Sequence, residues 1–379
     1  RVASDRVDAD EGFSIDTSLV LDHVFGHAKS QTLIGIDFTD NQFERDQRVS
    51  GDGDFFSTPP TAIEFDLFNP SYVGLNLVPF PFASSDSFQV NKLEQKGIYL
   101  QNHLKIGDNW SVSAGVRHDD VTVKSRFTAR NETPVTTSNA SQDTSATTFN
   151  TGVVYLADNG LSPYASYSES FQPNNGLNAS GNPYEASTGD QFEIGLKYRP
   201  EGSDFQASVA VFDIVQEDVV VASTLGLQGG NQISIESQGV ELETQMNLNN
   251  NLNVIAAYAY VDAVISETTS TFTRFQKGNK TAGQPENTVS LWMDYRLHSL
   301  PYLTIGGGVR YYDETTNFNN DVSVPSYTIA DLGTQYYLDD WKLNVTVRNL
   351  TDKEYISGCT YACWYGDGRS VFASLAYNW

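Results

Sequence analysis

Apolar and polar residues alternate with a period of two along most of the chain. In the last segment, every second residue from Val371 to Trp379 is apolar. Similar alternation recurs at 191–198, 240–246, 289–296 and 342–348. Successive side chains of a strand point to opposite faces of a sheet, so the pattern predicts β-strands with one apolar and one polar face.

The connections between these strands alternate in length. Short polar turns are predicted at 26–30, 107–109, 158–160, 200–203, 249–251, 298–302 and 339–340. The connections between them are long: 50–87, 129–145, 173–187, 224–232, 267–284, 317–324 and 358–368. A soluble sandwich would show no such asymmetry, whereas outer-membrane barrels have tight periplasmic turns and long outer loops. The chain is therefore predicted to be all-β, a transmembrane antiparallel β-barrel.

About fifteen strands fit between the predicted connections, each long enough to cross a thin outer membrane. Bacterial single-chain barrels usually close with an even number of strands. We therefore expect residues 1–379 to be the C-terminal portion of a larger barrel, with the missing strands before Arg1. Aromatic residues near strand ends are expected to form interfacial girdles; they are Trp110, Tyr198, Tyr258, Tyr260, Tyr295, Tyr336, Tyr377 and Trp379.

Composition excludes several classes of protein. The 379 residues carry 23 Lys and Arg against 47 Asp and Glu, a net charge of −24, so a nucleic-acid binder with a basic face is excluded. No apolar run approaches the length of a membrane helix. Catalytic and nucleotide-binding motifs are absent from the sequence, so no enzyme is predicted. His23 and His27 have the spacing of helical metal ligands but fall in a strand and a turn, so no metal site is predicted.

The two cysteines, Cys359 and Cys363, lie four residues apart in the last connection. A close pair in a loop is typical of an oxidising compartment, and the flanking glycines allow a turn that brings the sulfur atoms together. A disulfide and two unpaired thiols are the two alternatives.

Several segments carry a resemblance to a known family. They are LSPYASYSESFQP at 161–173, STGDQFEIGLKYRPEG at 187–202, VAVFDI at 209–214, SQGVELE at 237–243 and the closing stretch 347–379. The closing stretch combines N-L-x-D-K-x-Y, the two cysteines, Y-G-x-G-R and an aromatic terminus. In these features the chain resembles the TonB-dependent siderophore receptors of the Gram-negative outer membrane. The ferrichrome and ferrioxamine branch, which takes up ferric hydroxamates, is the most similar.

The resemblance implies a twenty-two-stranded barrel with a globular plug ahead of it, of which this chain holds the last fifteen strands. It implies a monomeric, multi-pass receptor in the cell outer membrane that imports ferric siderophores, energised by the TonB-ExbB-ExbD complex through the missing N-terminal region. Lipid and lipopolysaccharide would surround it. Alternatives are a TonB-dependent importer of cobalamin, haem or a glycan, and a passive porin.

A ferric siderophore saturates its iron with its own oxygen atoms, so no cofactor and no protein metal ligand are expected. Its receptor needs aromatic rings and a few hydrogen-bond donors around a concave site. The candidate ligand-binding residues in the outer connections are Phe55, Phe56, Phe171, Tyr361, Trp364, Tyr365 and Arg369. Further rings and a donor near the same rim are Tyr72, Phe80, Phe82, Phe318 and Arg310. The last-loop cluster is preferred, because the Cys359–Cys363 constraint would hold its rings in place.

Overall fold

The computed structural model describes residues 3–50, 83–178, 180–221, 230–249, 251–268, 270, 275–359 and 363–379. Its strands are β1 Ala3–Phe25, β2 Ala28–Ser50, β3 Ala83–Ile106, β4 Trp110–Ala129, β5 Thr136–Tyr155, β6 Leu161–Gln172, β7 Ser187–Tyr198, β8 Phe205–Val221, β9 Asn231–Asn249, β10 Leu252–Thr268, β11 Asn287–Arg296, β12 Leu303–Tyr312, β13 Thr315–Thr316, β14 Ser323–Val324, β15 Tyr327–Leu338, β16 Trp341–Arg348, β17 Ile356–Cys359, β18 Cys363–Tyr365 and β19 Ser370–Tyr377.

Fifteen of these strands form one antiparallel sheet in chain order, β1 through β12 followed by β15, β16 and β19. The predicted number of strands is confirmed. The pairs β13–β14 and β17–β18 are two-stranded ribbons within the last two long connections. Among the residues that the structure describes, no helix is long and apolar enough to cross a membrane.

The strand registers join the predicted apolar positions into one continuous surface. Leu19 lies opposite Ile34, Ile34 opposite Leu100, and Leu100 opposite Val116. Further along, Leu291 lies opposite Val309 on the same surface. Many large apolar side chains of this surface are exposed, as lipid contact requires. We call it the outer face; the inner face is the opposite one, which carries Asp37, Arg117 and Glu193.

Aromatic residues line the outer face beside the short turns. The rings of Trp110 and Tyr155 lie 4.8 Å apart, as do those of Trp341 and Tyr377. Each pair consists of directly opposed residues on neighbouring strands, at the ends next to a turn. This row has the position of an interfacial aromatic girdle, as the sequence predicts.

The prediction of a long connection at 129–145 is wrong. Strands β4 and β5 pair as far as Ala129 and Thr136, which leaves a connection of residues 130–135 only. The segment is rich in Ser and Thr and lacks an apolar face, but Thr has a high strand propensity and both faces can be hydrated above the membrane. Strands β1 to β5 have 20 to 24 residues, about twice the length that crosses a bilayer, so the sheet extends beyond it.

The connection between β6 and β7 packs against the inner face of β4. Its Leu177 is 1% exposed, and the Gly176 N–H donates to the Ser125 hydroxyl over 3.2 Å. Val121 and Val123 of β4 are each 3% exposed. A small buried core therefore lies on the inner face of the sheet, near the ends of the strands that the long connections join.

The Trp292 side chain packs on the inner face against Gly306, Gly308 and Gly333. This contact gives a first prediction. A Cβ atom at Gly308 would overlap the Trp292 ring and the Leu291 carbonyl, whereas one at Gly307 would meet nothing closer than 3.5 Å. We expect Gly308→Ala to lower the free energy of unfolding by about 2 kcal/mol. Gly307→Ala is the matched control, with an expected change within about 0.5 kcal/mol. Urea unfolding in lipid vesicles measures both changes. Equal effects would show that the Trp292 ring does not require a glycine at position 308.

Candidate functional site

The N-L-x-D-K-x-Y element begins the last connection, between β16 and β19, and forms a compact turn. Its Asn349 is 3% exposed and has a φ of 48°, a left-handed conformation that Asn tolerates well. The Asn349 side chain donates to the carbonyls of Lys353 (2.9 Å) and Asp367 (3.0 Å). It also accepts a hydrogen bond from the Lys353 N–H. One buried amide thus joins both ends of the connection.

Two aspartates attach this turn to the sheet. Asp331 of β15 accepts the N–H of Asn349 over 2.9 Å, and Asp352 accepts the N–H of Arg369 over 2.8 Å. The Arg369 guanidinium lies 3.6 Å from the Asp352 carboxylate, with half of its side chain exposed. Arg369 therefore anchors the start of β19, while its exposed part remains accessible to a ligand.

The ribbon β17–β18 rises from this base. Cys359 and Cys363 form a disulfide at its tip, and Cys359 is 1% exposed. Trp364 and Tyr365 follow directly, with exposures of 53% and 80%. The ribbon therefore presents two large rings to solvent on a covalently closed support, which reduces the entropy lost when a ligand orders them.

Below the ribbon lies a stack of tyrosines. The ring centroids of Tyr312 and Tyr327 are 5.0 Å apart, and those of Tyr327 and Tyr355 are 4.4 Å apart. Tyr355 ends the N-L-x-D-K-x-Y element, and Gly366 leaves room for its ring. Burial raises the pKa of the Tyr355 phenol, so it remains a neutral hydrogen-bonding group.

Arg310 lies beside this stack on the inner face. Its Nη2 donates to Asp331 over 2.8 Å, and 41% of its side chain is exposed. Together these residues form what we call the last-loop site: Arg310, Tyr312, Tyr327, Tyr355, Trp364 and Tyr365. Rings of this kind pack against an apolar organic shell, and a guanidinium donates to its oxygen atoms. The site suits a bulky ligand rich in oxygen.

The remaining predicted residues lie elsewhere. Phe171 pairs with Thr188 on the outer face, nine strands before β19 in the sheet order, so it does not join the last-loop site. Phe318 packs against Phe275 in a buried cluster with Ile233 and Ile265, where it stabilises the connections rather than lining a site. The predictions at Phe55, Phe56, Tyr72, Phe80, Phe82 and Tyr361 lie outside the described residues.

The prediction from sequence missed Tyr312, Tyr327 and Tyr355 as site residues. Strand alternation from Arg310 places Tyr312 on the inner face, and the closing motif contains Tyr355, so two of the three carried a signal. Their meeting depends on the register that sets Tyr312 opposite Tyr327.

Comparison with known proteins identifies the family. The profile described as TonB dependent receptor-like, beta-barrel matches residues 3–350. The chain is 32% identical to the ferrioxamine B receptor of Salmonella typhimurium over 362 residues, covering 93% of this chain and 48% of the relative. It is also 32% identical to the ferrichrome outer membrane transporter/phage receptor of Escherichia coli K12, covering 97% of this chain and 48% of the relative.

Solved structures of receptors have the same fold. The siderophore receptor PiuA from Acinetobacter baumannii superposes with a TM-score of 0.75 at 20% identity, covering 98% of this chain and 56% of that one. The yersiniabactin receptor FyuA from Yersinia pestis gives 0.77 at 12% identity, covering 99% and 55%. The chain spans about half the length of the curated relatives it matches. Its all-β fold, its antiparallel order and its matched profile show that the chain belongs to the TonB-dependent receptor β-barrel family.

Proposed function

We propose that this chain is the C-terminal barrel portion of an outer-membrane receptor that imports ferric siderophores of the hydroxamate type. The observation that carries the proposal is the 32% identity to a ferrioxamine B receptor and a ferrichrome transporter over 93% and 97% of the chain. Plug and coupling segments are expected from the remaining length of such receptors, and import is expected to depend on TonB-ExbB-ExbD.

The last-loop site supports this proposal through its chemistry. A ferric hydroxamate presents an apolar backbone and a shell of carbonyl and hydroxamate oxygens around iron. Trp364 and Tyr365 are exposed and can contact the apolar backbone of the siderophore. The partly exposed guanidinium of Arg310 can donate hydrogen bonds to the siderophore's oxygen atoms. Iron would arrive as cargo within its ligand, so the receptor would act without a resident cofactor and without catalysis.

Uptake of radiolabelled iron tests the proposal in cells. A strain that expresses the full-length receptor should accumulate iron from ferric ferrichrome or ferrioxamine, and collapse of the proton-motive force should stop the accumulation. Planar-bilayer conductance distinguishes a passive porin, because a plugged receptor should show little open current. Uptake that survives the collapse, together with a large conductance, would support the porin instead.

Breaking the disulfide gives a second prediction. Removing a bond that closes a five-residue loop costs about 2 kcal/mol of ordering free energy in the chain-entropy description. We expect Cys359→Ser with Cys363→Ser to weaken ferric hydroxamate binding by up to roughly 30-fold. Reductant should weaken the wild type equally and leave the double variant unchanged. Equal affinities of variant and wild type would show that the ribbon does not order the site.

A further inference from the structure

The sheet forks between β5 and β6. These two strands pair with each other only over residues 150–154 of β5, close to the short turn that joins them. Farther from that turn, β5 continues as far as Thr136 and pairs with β4 along its whole length. One side of β5 is therefore left without a neighbouring strand. We call this side of residues 137–147 the free edge.

The connection between β6 and β7 lies behind the fork, on its inner side. It packs on the inner face of β4, where the Gly176 N–H donates to the Ser125 hydroxyl and Leu177 is buried. To reach β4 it passes the inner face of β5, where the Gln142 side chain donates to the Glu185 carboxylate over 3.4 Å. The connection therefore supports β5 from inside and leaves the free edge open.

The free edge presents unpaired backbone groups. The Phe149 N–H points to the β6 side, where it donates to the Glu169 carboxylate over 3.0 Å. Alternate residues of an antiparallel strand direct their N–H and C=O groups to the same side. Every second residue from Thr137 to Thr147 therefore directs both groups to the free edge. Among the residues that the structure describes, no backbone hydrogen bond satisfies these groups.

The sequence of the free edge does not protect it from pairing. Natural sheets usually protect a long edge with lysine, proline or a bulge. Residues 136–149 contain neither lysine nor proline, and Asp143 is their only charged residue. The β4–β5 ladder also runs through this segment without a register shift. A regular, polar edge of this kind is a template to which an extended peptide can add as a further strand.

The free edge lies outside the hydrocarbon of the membrane. Phe149, with an exposure of 51%, is the last apolar residue on the outer face of β5 before the free edge begins. From Thr147 to Thr137 every side chain on that face is polar and exposed. A strand that adds to the free edge would therefore come from the exterior of the cell.

A cleft at the base of the fork adds recognition of side chains. It has a volume of about 360 Å³, and its lining includes the rings of Tyr167 and Phe171 and the carboxylates of Glu169, Asp190 and Glu217. Glu169 accepts only uncharged donors, the Tyr167 hydroxyl at 2.8 Å and the Phe149 N–H. Within the described ranges, no Lys or Arg forms an ion pair with these three carboxylates. The cleft therefore suits a cationic side chain.

We propose that the free edge binds an extended peptide strand that carries cationic side chains near its N-terminal end. A strand that continues the line of β6 runs antiparallel to β5, so its N-terminal end lies in the cleft. Backbone hydrogen bonds along the free edge supply the affinity, and the acidic cleft supplies the specificity. This site is separate from the last-loop site and is independent of the proposed function.

Fluorescence anisotropy of a dye-labelled peptide with the purified full-length receptor in detergent micelles tests the proposal. The probe is a synthetic peptide of alternating Thr and Val with two Arg residues near its N-terminal end. Two analogues carry backbone N-methyl groups, one on the odd-numbered residues and the other on the even-numbered residues. Only one set of N–H groups faces β5, so one analogue should bind about 100-fold more weakly and the other should bind nearly as the parent peptide does. Equal affinities of the two analogues would overturn the proposal.

Receptor variants test the free edge and the cleft separately. Ser145→Pro removes an N–H group from the free edge and leaves the β4–β5 ladder intact, so it should weaken peptide binding by about tenfold. Ser145→Ala keeps that N–H group and is the matched control, with an expected change of less than about twofold. Asp190→Asn with Glu217→Gln should weaken binding of the Arg peptide by about fivefold and leave binding of a Gln analogue unchanged.

Three results would overturn the proposal. The first is a Ser145→Pro variant that binds the peptide as the wild type does, and the second is equal binding of the Arg peptide and its Gln analogue to the wild type. The third is a dimer of the wild-type receptor, seen by sedimentation velocity in micelles and absent from Ser145→Pro, because a second copy would then occupy the free edge.

Discussion

Replacing Arg117 by Met should lower the free energy of unfolding by about 3 kcal/mol, the cost of leaving the buried Asp119 carboxylate and the neighbouring Asp37 carboxylate without their cation. On the inner face, Arg117 donates from Nη1 to Asp37 over 2.7 Å and from Nε to Asp119 over 2.7 Å. The Asp119 side chain is only 5% exposed and also accepts from Gln95. Removing Arg117 therefore leaves two close carboxylates, one of them buried.

A triple variant separates the cost of the unpaired charges from the cost of lost packing. If the unpaired charges cause the loss, adding Asp37→Asn and Asp119→Asn to Arg117→Met should restore most of the stability. Equilibrium urea unfolding of the full-length receptor in lipid vesicles measures each variant. A triple variant as unstable as Arg117→Met would show that the aliphatic part of Arg117, rather than its charge, stabilises this wall.

The second large effect is expected at Gly366, where Ala should weaken ferric hydroxamate binding by about tenfold or more. A Cβ atom there would overlap the ring of Tyr355, which would have to leave its stack on Tyr327. The hydrogen bond from the Gly366 N–H to the Tyr355 carbonyl, 2.9 Å long, would also be strained. The ribbon that carries Trp364 and Tyr365 would then lose the tyrosine contacts that support it.

Gly358 offers a matched control within the same connection. A Cβ atom at Gly358 meets nothing within 4 Å, so Gly358→Ala makes the same chemical change without the overlap. Quenching of intrinsic tryptophan fluorescence by the ferric ligand measures both affinities. Equal affinities of Gly366→Ala and Gly358→Ala would show that the tyrosine stack does not position the ligand site.

The strands were largely predictable from sequence because their physical signal is local. Alternation from Val371 onward, or through 342–348, needs only the neighbouring residues, and short turns such as 339–340 end the pattern sharply. The segment 129–145 was not predictable in this way. Its Ser and Thr residues form strand above the membrane, where neither face needs to be apolar.

The site was only partly predictable, because its contacts join residues that are distant in sequence. The closing motif and the cysteine pair indicated the ribbon that carries Trp364 and Tyr365. The stack of Tyr312 on Tyr327 on Tyr355 depends on a strand register and on a turn held by Asn349, which no local pattern specifies. The position of Phe171 beside a long connection predicts a ligand-binding ring, but the alternation of β6 places its side chain on the outer face.

The most direct test of the proposed function is equilibrium binding of several ligands to the purified full-length receptor. Ferric ferrichrome, ferric ferrioxamine B, their iron-free forms, a ferric catecholate, cobalamin and haem would be titrated under one condition. Selective binding of a ferric hydroxamate, with affinity at least tenfold above every other ligand, is the predicted result. Binding of cobalamin, haem or the catecholate with equal or greater affinity, or no preference for any ferric hydroxamate, would contradict it.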